Sequence, residues 1–276
     1  TFKESLYLNK YINNYLNIYL NIYLNMEKLF DIVIPLGPND ENIINQQIFY
    51  TKKNITGYRN IYIVSANENI NIDGCIRISE KIFPFDKLLI DSIHNYKKST
   101  PVHGSKLRSG WFLQQLIKLY AGITIPNILD KYLVIDADTF FLKPTKFIEN
   151  NKCLYNYSNQ YHKPYFIHMN KLDKNLYKFF EDKSGICHHM IFETKYIKEI
   201  INIVESNHNN LFYKIFLEEV DDIILDGCSE YEIYFNYMLI NHFDKITIRK
   251  LIWKDSRILV LNKNYDYLSI HHYMRN

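Results

Sequence analysis

The chain has 276 residues, of which 47% are hydrophobic and 23% charged. That is enough to bury a sizeable core, in one large domain or two small ones, and it excludes a disordered or collagen-like chain. The 33 Lys and Arg against 30 Asp and Glu leave a formal net charge of +3, too balanced to point to nucleic acid as a partner.

Ile, Asn, Tyr and Lys are heavily used, whereas Gly (8) and Pro (7) are scarce. These residues share A/T-rich codons, so the bias reads as genomic, and the tyrosines are not taken as a carbohydrate surface. Cys75, Cys153, Cys187 and Cys228 include no C-x-x-C spacing, which leaves a zinc ribbon or thioredoxin motif unsupported and favours a reducing, cytoplasmic compartment. In so Asn-rich a chain, Asn54-Ile55-Thr56 and Asn156-Tyr157-Ser158 read as chance glycosylation patterns. No apolar run approaches the ~20 residues of a membrane span, and no signal-peptide core is present, so no transmembrane anchor is expected.

Residues 7–25 repeat Tyr-Leu-Asn or Tyr-Ile-Asn with a period of four, from Tyr7 to Asn25. Four residues overshoot a helical turn by about 40°, so the stripe would wind around a helix rather than form a seam. An amphipathic helix, an oligomer or membrane-surface contact, and a translated repeat without selected structure all compete; the last is favoured. Residues 1–25 are therefore read as an extension, and 26–276 as one domain that starts functionally at Met26.

From Glu27 onward the pattern is α/β. Asp31 to Pro35 reads as a buried strand feeding the loop Leu36-Gly37-Pro38-Asn39-Asp40, residues 41–53 as a helix, Ile61 to Ser65 as a second strand and Cys75 to Ser79 as a third. Strands separated by helices imply a mostly parallel central sheet flanked by helices. Residues 97–110 are polar; Trp111 to Ala121 follows as a helix stopped by Gly122. Lys131 to Ile135 is a strand running into Asp136-Ala137-Asp138-Thr139. Further on, Tyr165 to His168, His189 to Glu193, Ile246 to Ile248, Ile258 to Leu261 and Tyr267 to His271 read as strands, and residues 195–206, 210–219 and 229–241 as helices.

The chemistry concentrates at Asp136 and Asp138. Carboxylates two apart on a strand project to one side. At the carboxyl end of a buried parallel strand they face the crevice where α/β sheets bind ligands. Close carboxylates repel, and a hard divalent cation, Mg²⁺ or Mn²⁺, relieves that cost while sharing its shell with substrate phosphates. The alternative is a surface turn with capping aspartates; the apolar run before the pair and Phe-Phe-Leu-Lys-Pro after it argue against that.

Residues 132–139, Tyr-Leu-Val-Ile-Asp-Ala-Asp-Thr, with the helix before them, resemble the GT-A glycosyltransferases, which use nucleotide-sugar donors. Gly110 to Gln115, Cys187 to Phe192 and Ser229 to Tyr234 extend the likeness to a group of GT-A transferases of bacteria and large DNA viruses. The resemblance implies a single GT-A-like, Rossmann-like domain, a UDP-sugar or GDP-sugar donor with the former favoured, and an acceptor glycan, protein or lipid. If virus-encoded, the enzyme would work in host cytoplasm. It implies that Asp136 contacts the donor ribose or the metal through water, that Asp138 ligates the metal, and that a late histidine, His271 in preference to His272, completes the shell.

Lys118 would lie near the nucleotide or Asp136, and Gln114 or Gln115 near sugar hydroxyls; all three have ordinary helix-surface alternatives. Lys106 and Arg108 would reach the diphosphate or simply be solvated. Asp40 would accept from a base N–H or cap the next helix, and Ser65 and Asn67 end the second strand on the same edge. Glu230 would be the acceptor-side carboxylate, a general base or an orienting group, or else a helix-start residue. His188 and His189 would border the acceptor pocket or lie in the core.

Two rivals are of other kinds. In a haloacid-dehalogenase-like phosphatase Asp136 would be the nucleophile and Asp221-Asp222 the distal acids; the strands preceding Asp136 and the missing Gly before Thr139 count against it. A non-catalytic nucleotide-sugar-binding module is the other.

Overall fold

The computed structural model describes residues 30–97, 108–221 and 227–275. The repeat at 7–25, Lys106 and Asp222 lie outside the described residues. The chain is mixed α/β, and its centre is a five-stranded sheet of order β3-β2-β1-β4-β8. Its strands are β1 (Phe30–Pro35), β2 (Tyr58–Ser65), β3 (Ile76–Ser79), β4 (Lys131–Ile135) and β8 (His189–Glu193). β3, β2, β1 and β4 run parallel, and β8 pairs antiparallel with β4.

β1 is buried along its whole length, and Leu133, Val134 and Ile135 of β4 are fully buried beside it. Such continuous apolar runs belong to strands covered on both faces. The chain leaves β1 through β2 to β3, then crosses back to lay β4 on β1's other side. The strand order therefore turns between β1 and β4, and a crevice opens past their carboxyl ends.

Helices fill the crossovers. They are α1 (Ile44–Asn54), α2 (Lys87–Lys97), α3 (Ser109–Thr124), α4 (Lys163–Leu172), α5 (Thr194–His208), α6 (Phe212–Glu218) and α7 (Glu230–Asn241). α7 is buried from Glu230 through Leu239. A helix covered on all sides is a core element, whose stability comes from packing rather than from an amphipathic stripe.

Two small sheets complete the fold. One orders β10 (Trp253–Asp255), β11 (Tyr267–Ser269) and β5 (Thr139–Phe141); the other orders β6 (Ile148–Glu149), β7 (Lys152–Asn156) and β9 (Ile246–Arg249). At the amino end of the main sheet, fully buried Asp31 is held by Arg59 at 2.6 Å and by the backbone N–H groups of Asn60 and Leu129.

Three local expectations are corrected. Residues 165–168 are helical, within α4: Pro164 sits in its first turn, and His168, Met169 and Leu172 make its buried face at helical spacing. Residues 258–261 form no strand; Ile258 and Leu261 are exposed, and the sheet instead takes Trp253–Asp255. Gly122 does not end α3, which continues to Thr124. It is a point of close approach, where a Cβ would collide with the Thr194 hydroxyl and stand 2.5 Å from the Tyr132 ring. All four cysteines are unpaired. Among the described residues, no helix is long and apolar enough to cross a membrane.

Candidate functional site: a carboxylate–imidazole cluster at the strand switch

β4 delivers Asp136 to the crevice, and the turn that follows is closed by Thr139 N–H donating to the Asp136 carbonyl at 3.0 Å. Thr139 then opens β5, which runs antiparallel to β11 with Thr139 opposite Ser269. That register, with Ile270 N–H donating to the Asp138 carbonyl, sets His271 beside Asp138. Their side chains meet at 2.9 Å, His271 Nδ1 to Asp138 Oδ2. The other Asp138 oxygen accepts from Ser269 Oγ at 3.3 Å.

β10 lies parallel to β11 with Asp255 opposite Ser269, so Asp255 Oδ1 comes 3.1 Å from His271 Nε2. β8 places His189 opposite Ile135, which leaves His188 opposite Asp136. His188 has a positive φ of 59°, an uncommon conformation for a residue with a side chain. Its Nδ1 is 3.6 Å from Asp136 Oδ2 and its Nε2 is 3.8 Å from Asp255 Oδ1. The Trp253 ring stands edge-on against it at 4.7 Å.

Behind the cluster lies a buried charge relay. Lys118 of α3 points its Nζ between Asp136 Oδ1, at 2.6 Å, and Glu230 Oε1, at 2.7 Å, with the Tyr231 ring 4.5 Å away. Tyr231 Oη donates to the same Asp136 oxygen at 2.9 Å. Burial alone would depress the Lys118 pKa, but Asp136 and Glu230 outweigh it and hold it above its ordinary value. Burial likewise opposes ionisation of Asp136, and Lys118 with His188 overrides that and holds the carboxyl well below the usual range. Glu230 goes the other way: burial, with Asp136 nearby, raises it despite Lys118. For His271 the pull of Asp138 and Asp255 exceeds the cost of burial, and its pKa rises to about 10.

The sequence expectations fare unevenly. Asp136, Asp138, Lys118, Glu230 and His271 converge on one site. His272 is exposed and turned edge-on to Tyr273, outside the cluster. Glu230 is 0% exposed; its Oε1 accepts from Lys118, and its Oε2 has no hydrogen-bond partner. It is also the first residue of α7, after Ser229, whose side chain accepts from Glu232 N–H. Gln115 is likewise internal, accepting from Glu230 N–H at 2.9 Å. His189 is a core residue packed against Phe141, Phe147 and Tyr267, and burial lowers its pKa to about 3.

Asp40 does not cap α1, whose N-cap position is Ile43. Its carboxylate oxygen Oδ1 accepts from Arg275. Ser65 is buried at the end of β2 and accepts from Asn67 N–H at 3.1 Å, while Asn67 donates to Glu41. Gln114 lies beside the loop after β1; a Cβ on Gly37 would stand 3.2 Å from its amide nitrogen. Arg108 lies over the Trp111 ring at 5.1 Å. Asp221, the phosphatase alternative's distal acid, is exposed and paired with Lys171. A groove of about 580 Å³ runs past the ends of β2 and β3, along Ala66, Phe83, Phe85 and Leu113.

Asp255 and Tyr231 were not legible as site residues. Asp255 sits in a three-residue edge strand with no motif around it, and Tyr231 is one tyrosine among 24.

The donor set suits a divalent cation. Two imidazoles and three carboxylates converge, and His188 Nε2 is buried without a hydrogen-bond partner, a costly state that a cation would relieve. Fold and cluster together define a mixed α/β protein with a group of carboxylates and imidazoles at its strand switch. The chain belongs to a family of unknown function, DUF6492, whose family model matches residues 49–268. No curated protein matches it. The family match spans Lys118, Asp136, Asp138, His188, Glu230 and Asp255 and ends three residues before His271.

Proposed function

We propose that the protein is a metal-dependent glycosyltransferase of the GT-A kind, moving a sugar from a nucleotide-sugar donor, a UDP-sugar before a GDP-sugar, to an acceptor hydroxyl. The observation that carries this reading is the placement of Asp136 and Asp138 past the end of β4, at the turn in strand order, against His271. That is where an open α/β sheet receives a nucleotide. Bound there, Mn²⁺ or Mg²⁺ would supply Lewis-acid neutralisation of the charge that grows on the leaving diphosphate.

The chain's own residues prepare the site. Lys118 keeps Asp136 ionised and fixes its direction, and its single positive charge is shared with Glu230. Tyr231 Oη donates to Asp136 Oδ1, and the other oxygen lies 3.6 Å from His188 Nδ1. Asp138 orients His271 through Nδ1. Gln114 and the loop of residues 36–40 border the edge along which the donor would lie.

The test is a thermal-shift screen of UDP-, GDP- and TDP-sugars with and without Mn²⁺, followed by donor hydrolysis for any that bind. A donor at a hundred times its Kd stabilises the native state by ~2.7 kcal/mol, a rise of roughly 5 °C or more at this chain length. The expected result is a shift that needs both donor and metal. Failure of every nucleotide sugar to shift the transition or be hydrolysed would overturn the reading.

A further inference from the structure

We infer that His188, Asp255 and His271 form the inner ligand set of a transition-metal site, with Asp136 and Asp138 standing behind the two histidines as orienting carboxylates. The inference extends the metal-dependent reading above and rests on its premise that the cluster takes a cation. It differs in which atoms hold the cation.

The hydrogen-bond accounting points this way. Both Asp138 oxygens are engaged, one by Ser269 Oγ and one by His271 Nδ1. Asp136 Oδ1 is engaged by Lys118 and Tyr231, and Oδ2 faces His188 Nδ1. An imidazole has its two nitrogens on separate edges, so His271, bonded to Asp138 at Nδ1, and His188, whose Nδ1 lies 3.6 Å from Asp136, each present Nε2 on the other side. Those two Nε2 atoms face Asp255 Oδ1, at 3.1 Å from His271 and 3.8 Å from His188.

Of these donors, His188 Nε2 is buried and makes no hydrogen bond, and Asp255 Oδ1 has His271 Nε2, 3.1 Å away, as its near partner. One ligand atom from each of the three residues falls within 4.8 Å of the others. A cation with bonds of ~2.1 Å holds its ligand atoms roughly 3–4 Å apart, so closure needs a movement of under about 1 Å. A carboxylate bonded to the remote nitrogen of a ligating histidine is the usual supporting arrangement, fixing both tautomer and ring direction.

The ligand chemistry sets the metal class. Two imidazole nitrogens and one carboxylate favour Mn²⁺, Fe²⁺, Co²⁺ or Zn²⁺ over Mg²⁺ or Ca²⁺, which take oxygen shells. Three protein ligands leave positions open for water or for substrate oxygens.

The experiment titrates the metal-stripped full chain with Co²⁺, followed by its visible absorption, with Zn²⁺ and Mg²⁺ as competitors. One Co²⁺ per chain is expected, displaced by Zn²⁺ and not by a hundredfold excess of Mg²⁺. His188→Gln and Asp255→Asn should each weaken binding at least a hundredfold, and Asp138→Asn, a positioning change, about tenfold. Wild-type affinity in either of the first two variants, or a greater loss in Asp138→Asn than in both, overturns the assignment.

A second measurement needs no variant. In the wild-type chain, Zn²⁺ should move the histidine-ring ¹⁵N resonances of Nε2 in His188 and His271; movement of His271 Nδ1 instead places the ion on the Asp138 side and overturns the proposal. The two readings also fail separately. Co²⁺ held by these residues with no nucleotide-sugar turnover keeps the site and removes the transferase. Mn²⁺-dependent transfer undiminished in Asp255→Asn does the reverse.

Discussion

Lys118 Nζ lies 2.6 Å from Asp136 Oδ1, inside the protein, with 6% of the lysine side chain exposed. A buried ammonium is tolerated only where carboxylates compensate it, and here Glu230 supplies the second. The contact ties α3 to the end of β4 and to the start of α7, so one cation sets the geometry of the site's rear wall.

Removing that cation should therefore be severe. Lys118→Met leaves Asp136 and Glu230 confronting each other without a counter-charge, and a loss of about 3 kcal/mol of stability is expected, within the range for broken buried pairs. Glu230→Gln alone should cost less. Combining the two should recover part of the loss, with a coupling of about 1 kcal/mol or more in urea unfolding. Strict additivity would mean that the pair is not an energetic unit.

Asp138→Asn keeps the side chain's shape and removes its charge. The variant should melt within a few degrees of the wild type, because His271, the cation beside Asp138, keeps Asp255 as a second carboxylate at 3.1 Å. Its Mn²⁺-dependent sugar transfer should fall at least tenfold, and EDTA should abolish turnover in the parent. Turnover by the parent that ignores EDTA would remove the metal from the reaction.

Gly122→Ala tests packing. The added methyl must displace Thr194 or the buried Tyr132 ring, whose hydroxyl already donates to α3 carbonyls. A loss of about 1–3 kcal/mol is expected, typical of overpacking, and it should appear in the melting curve with Co²⁺ affinity unchanged.

Arg59→Ala should destabilise by about 2 kcal/mol, since Asp31 is fully buried and keeps only backbone donors. This pair sits at the opposite end of β1 from the cluster, so metal binding should survive. Parallel loss of metal affinity would reveal coupling along the strand.

Much of the fold could be read from the sequence because its signals are local. The buried runs at Ile32–Ile34 and Leu133–Ile135 announce parallel strands, and Ser229 followed by Glu232 announces the start of α7. Asp136 and Asp138 were visible because they end a buried strand, whereas Lys118 and His271 were expected only through the resemblance to GT-A transferases. What escaped was set by pairing between distant segments. Asp255 enters the site only through the register of two three-residue strands, and Glu230's burial depends on Lys118, which is far away in sequence. The helix at 163–172 was misread because the aromatic residues Tyr165 and Phe166 mimic a strand, while its buried face appears only at His168, Met169 and Leu172.

The hold of Arg275 on Asp40 joins the two extremities of the described chain across one rim. Between them Tyr273 lies flat on His271, with ring centroids 5.2 Å apart. The final described turn is thus tied, like a clasp, to the loop of residues 36–40. Anything fused after residue 276 pulls on that clasp. A polyhistidine tail there would begin six residues past His271, at most about 20 Å of extended chain, and would dangle surplus imidazoles beside the very nitrogens whose affinity is of interest.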